Sequence, residues 1–154
     1  MKKLILLLVF IPLFTYSQTF EDISEINSYE QFVRVMIENG YELDEKLPTG
    51  AIYIKNPVIS NGERLIEVMA TYNNKTNVFH LMFWKKNSDS KTKYENIFSE
   101  VKNKCNFSKI IPEEDVPIYM NGGDWALYSC NKISYSGSIG FTQKNNWLIL
   151  MNGF

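Results

Sequence analysis

Histidine is nearly missing from this chain: His80 stands alone among 154 residues. Cysteine is as scarce, occurring only at Cys105 and Cys130, and arginine only at Arg34 and Arg64. One histidine and two separated cysteines do not make a zinc site of the usual four-ligand kind. No C-x-x-C pair is present for redox work. No G-x-S-x-G elbow, phosphate-binding loop or dinucleotide fingerprint occurs, and Gly122-Gly123-Asp124 reads as a short hairpin turn before Trp125. No metal or cofactor is therefore expected. The formal net charge is only −1, without the basic stripe that nucleic acid would demand.

Apolar runs are short as well. The longest covers residues 4–14, preceded by Lys2 and Lys3 and interrupted only by Pro12. It falls well below the roughly twenty residues that cross a bilayer. With small residues at Thr15 and Ser17, it reads as a signal peptide over residues 1–17, cleaved between Ser17 and Gln18. A buried N-terminal strand or helix is the alternative. Export to a periplasm or to the medium follows, with no stable membrane anchor after cleavage. Lysine outnumbers arginine fourteen to two and asparagine is abundant, a bias that resembles proteins of AT-rich bacterial genomes. Residues 18–154 then form a single globular domain, long enough for one core.

In an oxidising compartment Cys105 and Cys130 are a candidate disulfide. Closing a loop of this length is worth about 3 kcal/mol in the chain-entropy model. Two separately buried thiols are the alternative.

Two helices stand out by period. Tyr29, Phe32, Val33, Met36 and Ile37 share one helical face, with Ser28 as N-cap, Gln31 completing a capping box and Gly40 as the stop. Tyr94, Ile97, Phe98, Val101 and Cys105 repeat the pattern behind Asp89 or Ser90, with Lys93 and Glu100 on the opposite face. Between and after them, residues 50–56, 64–73, 78–86, 116–120, 125–130, 133–142 and 147–152 read as strands separated by turn clusters. The expected fold is α+β: two amphipathic helices on one face of an antiparallel sheet of six to seven strands, in the order α-βββ-α-βββ(β). Tyr29-Glu30 is echoed by Tyr94-Glu95, and the strand around Tyr53 by Ile118-Tyr119-Met120. A duplicated α-βββ unit over residues 27–86 and 90–152 would explain both echoes; shared architecture without duplication is the alternative.

Strand alternation proposes which residues avoid the helices. Phe79, Leu81 and Phe83 alternate with Val78, His80, Met82 and Trp84, while Ile66, Val68, Ala70 and Tyr72 alternate with Leu65, Glu67, Met69 and Thr71. The more apolar sets face the helices, leaving Tyr53, Glu67, Met69, His80, Met82, Trp84 and Tyr119 for an open face. Such a surface suits recognition; ordinary exposed aromatics, or a second small core under a loop, are the alternatives.

A helix-plus-sheet unit used twice resembles, in architecture alone, the plan of some secreted bacterial inhibitor proteins. The expected function is a non-catalytic, inhibitor-like exported binding module that engages a protein or cell-envelope component through the open face. A small envelope hydrolase using a carboxylate pair, from Glu113-Glu114-Asp115 or from Glu42 with Asp44-Glu45, is one alternative. Another is a structural accessory subunit pairing through an edge strand at residues 147–151. No oligomeric state follows from the sequence.

Overall fold

In chain order the elements are α1 (Phe20–Ser24), α2 (Tyr29–Glu38), β1 (Glu42–Leu47), β2 (Gly50–Lys55), β3 (Val58–Ser60), β4 (Glu63–Leu65), β5 (Val68–Asn73), β6 (Val78–Trp84), α3 (Ser88–Lys104), β7 (Asn106–Ile111), a 3-10 turn (Glu113–Asp115), β8 (Trp125–Ser129), β9 (Ser138–Lys144) and β10 (Trp147–Asn152). The computed structural model describes residues 18–60, 63–116, 123–131 and 137–153. The proposed signal peptide and Tyr119 lie outside them.

Eight strands form one antiparallel sheet in the order β1-β2-β5-β6-β10-β9-β8-β7, and β3 pairs with β4 in a separate hairpin. The expected six to seven strands were too few. Both additional strands, β1 and β7, lie at the sheet edges with nearly every residue exposed. Nothing buries either side of them, so their sequences carry no alternation to read. Each long helix is thus followed by four sheet strands, where three are expected after the first and three or four after the second. The apolar terminal strand is not an edge either: β10 is central, paired with β6 on one side and β9 on the other.

α2 begins as its sequence dictates, with the Ser28 hydroxyl accepting from the Gln31 N–H at 3.2 Å, while the Gln31 side chain accepts from the Asn27 N–H at 2.8 Å. Phe32, Val35 and Met36 are buried, but Ile37 is 60% exposed, so the packed stripe sits one residue back from the expected one. α3 starts earlier than expected, capped by Asn87, whose side chain accepts from the Ser90 N–H. Helix α1 escaped notice because it is only 5 residues long. A capping box between Thr19 and Asp22 starts it, and Phe20, Ile23 and Ile26 anchor it in the core.

The sheet has an internal pseudo-twofold symmetry that holds residue by residue. Ala51 stands opposite Tyr72, which stands opposite Phe79; Ala126 stands opposite Phe141, which stands opposite Leu150. The edge hairpins match too. Tyr53 pairs with Leu43 as Tyr128 pairs with Phe107, and each edge strand bulges at its third residue, Asp44 or Ser108. At the junction of β6 and β10, His80 lies opposite Met151, and this pair alone maps onto itself when the halves are exchanged. One step beyond each edge hairpin the equivalence continues with different chemistry. The first half places Lys55 Nζ 5.4 Å from the centroid of the Tyr41 ring. The second half places the Cys105–Cys130 disulfide there.

Candidate functional site

The helices cover the central strands of one sheet face. The other face is built by β6 (His80, Met82, Trp84), β5 (Met69, Thr71) and β10 (Trp147, Ile149, Met151), continuing into Trp125 and Leu127 of β8. It is not uniformly open. Trp125, Leu127, Ile149 and Met151 form a second buried core, against which Val78, Met82, Ile111, Val116 and Trp147 pack. Met69, His80, Met82 and Trp84 are half-buried, while Ile54, opposite Met69 on the same face, is fully buried. The two regions meet at His80.

The His80 imidazole has an asymmetric setting. Nδ1 lies 3.4 Å from the Thr71 hydroxyl oxygen, directly across the β5–β6 pair. Nε2 is enclosed and has no hydrogen-bond partner among the described residues. Burial pushes its pKa down to about 4, so the ring is neutral at ordinary pH.

Of the residues expected on this face, Met69, His80, Met82 and Trp84 are together, whereas Tyr53 and Glu67 are not. Tyr53 pairs with Ala70 and shares the helix side, packed edge-on against Phe32 at 5.7 Å. Strand β2 is apolar on both faces, Ala51 and Tyr53 on one and Ile52 and Ile54 on the other, so its phase could not be told from composition. Glu67 precedes β5, where the strand alternation has not yet begun, and turns towards α3.

Glu67 is the centre of a buried polar cluster. Lys93 Nζ donates to its Oε1 at 2.6 Å, and Asn56 donates to Oε2. Its backbone carbonyl accepts from the Ser90 hydroxyl and from the Trp84 N–H, each at 2.9 Å. Burial pushes the carboxyl pKa up, but the hydrogen bonds from Lys93 and Asn56, with the charges of Lys93 and Lys55, outweigh it and hold the group below the ordinary glutamate range. Lys55 is lowered, first by burial and then by the Lys93 charge, against the opposing pull of Glu67. Lys93 therefore does not belong to the solvent face of α3. Its role is to neutralise a carboxylate that fastens the β4–β5 junction to the helix.

No protein-family model, no curated protein and no solved structure matches this chain. The acidic clusters stand apart from both sites. Glu42, Asp44 and Glu45 lie on the exposed edge strand β1, and Glu113, Glu114 and Asp115 on the exposed 3-10 turn. Among the described residues no helix is long and apolar enough to cross a membrane.

Met151 and Thr71 are the residues of the His80 neighbourhood that sequence reasoning did not propose. Met151 was hidden in a terminal strand where both alternating sets are apolar. Its odd-numbered companions Trp147 and Ile149 are the signal that places it.

Proposed function

We propose that this chain is an exported, non-catalytic binding module that engages a protein or cell-envelope component through the half-buried part of its second sheet face, in an inhibitor-like manner. The observation that carries the reading is the row of Met69, Met82 and Trp84 around His80, left half-buried on a sheet whose central strands are packed under helices on the other face. Large, soft and aromatic side chains of this kind supply contact area at recognition surfaces. The disulfide supports export, since such bonds persist in oxidising compartments.

The matched registers of the two halves support a companion proposal, that a single domain arose by duplication of an α-ββββ unit, with the β3–β4 hairpin inserted into the first copy.

The binding reading is tested by capture from the host's envelope and culture fluid, comparing the parent chain with a Trp84→Ala variant of unchanged circular dichroism. A partner recovered by the parent and lost with the variant is the expected result. Equal recovery by both would remove this face from the function.

A further inference from the structure

We propose that the His80 imidazole and the thioethers of Met82 and Met151 bind a soft monovalent metal ion, copper(I) or silver(I). The inference rests on reading the second sheet face as the binding surface, and names one chemical class of ligand for it.

The sheet register gathers these groups. Met151 is directly opposite His80 across β6–β10, and Met82 packs against the cluster that holds Met151. His80 and Met82 are two residues apart on one strand and so share a face. Directly opposed Cβ atoms in antiparallel pairs lie about 4.5–5.5 Å apart, and diagonal ones about 7–8 Å. A methionine side chain with three rotatable bonds spans such gaps. Two of the chain's six methionines thus lie beside its one histidine, Met151 across the strand pair and Met82 along the strand.

The histidine is set up as a ligand. Metal-bound imidazoles characteristically engage their second nitrogen in a hydrogen bond that fixes the tautomer. Here the Thr71 hydroxyl lies 3.4 Å from Nδ1, and in the Nδ1-protonated tautomer, the one the proposed site requires, it accepts that proton. Nε2 then carries the lone pair, and it is the atom that is buried without a partner among the described residues. A buried acceptor left unsatisfied is costly and calls for an explanation; a coordinated ion supplies one. Burial also keeps the ring neutral, with a pKa of about 4, which is the form that binds metal.

The donor set selects the ion. It offers sulfur and nitrogen with no oxygen, whereas calcium and magnesium require oxygen ligands. Thioether sulfur favours copper(I) over the harder divalent ions. The cysteines do not compete as thiolates, being joined to each other. Among the described residues no cluster of three His, Cys, Asp or Glu side chains offers a harder site. Trp84 follows Met82 on the same face, close enough along the strand for its indole to serve as a cation–π neighbour and as an optical reporter.

The test is a titration of the full chain with silver(I) in chloride-free buffer, followed by calorimetry and tryptophan fluorescence, with copper(I) in a competition assay against a chromogenic chelator. The expected result is one equivalent bound, weakened at least tenfold by Met82→Leu and by His80→Asn. Met→Leu keeps volume and apolarity, and Met151→Leu stands in if either variant loses its native circular dichroism. No saturable binding overturns the proposal, as does binding that these substitutions leave unchanged. If silver(I) fails to bind while Trp84-dependent capture in metal-free buffer persists, the metal site alone falls. If both fail, the reading of the face falls with it.

Discussion

Phe32 and Phe98 occupy equivalent places in the two halves of the molecule. Phe32 meets the Tyr53 ring edge-on at 5.7 Å and Tyr72 at 5.1 Å; Phe98 meets Tyr128 edge-on at 5.9 Å and Phe141 at 4.8 Å. By register Tyr128 is the counterpart of Tyr53, and Phe141 of Tyr72. Each phenylalanine is thus the point at which its helix is pressed into its own four strands.

Truncation at either point should loosen its own half. Phe32→Ala removes a fully buried ring and is expected to destabilise by about 3–5 kcal/mol, whereas Phe98→Ala, at a half-buried position, should cost less. Urea or guanidinium midpoints give the comparison. A loss near zero at one position would mean that its helix is held elsewhere.

Glu67 and Lys93 make a second prediction. Removing one member of a buried pair leaves the other uncompensated, at a cost of about 3–5 kcal/mol. Lys93→Met should fall at the low end, because Asn56 still donates to the carboxylate. The double variant Glu67→Leu with Lys93→Met should recover most of the loss, since a desolvated pair is close to neutral against an apolar replacement. A double-mutant cycle on denaturant midpoints decides; strictly additive losses would show that the two side chains do not act together.

Acid should weaken the fold in two successive windows. His80 has a folded pKa of about 4 against an ordinary 6.5, so its contribution is full above 6.5. It declines as pH falls towards 4, because the unfolded chain takes up the proton first. One proton limits the slope to about 1.4 kcal/mol per pH unit. The Glu67 pKa is lowered from the ordinary 4.5, so its contribution is present above that value and is lost below it. Melting temperatures between pH 7 and pH 4 should therefore fall in the parent and fall less in His80→Gln. Parallel curves would contradict the burial of the ring.

A backbone prediction concerns the tight β1–β2 turn. A Cβ on Gly50 would lie 1.7 Å from the Tyr72 carbonyl oxygen, in the strand to which β2 is paired. Gly50→Ala has to push β2 and β5 apart, and overpacking of that sort costs about 1–3 kcal/mol. Hydrogen exchange should report faster opening along β2 and β5; full protection there would refute the close approach.

Much of this architecture is legible in the sequence wherever one side of an element is buried and the other is wet. The faces of β5 and β6 were read correctly because Val68, Ala70, Tyr72, Phe79, Leu81 and Phe83 repeat every second residue against more polar neighbours. α2 and α3 were legible for the same reason at helical period. Legibility fails where both sides share one environment. β1 and β7 are exposed on both sides, β2 and β10 are apolar on both, and the phase signal vanishes in either case. That is why Tyr53 was assigned to the wrong face and Met151 was overlooked. Glu67 failed differently. Its destination depends on Lys93, which is 26 residues away, and no local pattern encodes such a partner.

The fastenings at the two flanks differ in kind. Tyr41 with Lys55 closes the β1–β2 hairpin by a contact that thiols leave untouched, while Cys105 with Cys130 closes the β7–β8 hairpin by a bond that thiols undo. A molecule nearly symmetric in shape is therefore lopsided in its vulnerabilities. Carried into a thiol-rich compartment it would keep one end buckled and have the other unlatched, so damage would begin at β7 and work inwards. The near-twofold form thus has a weather side, set by a single cross-link that has no cysteine counterpart in the other half.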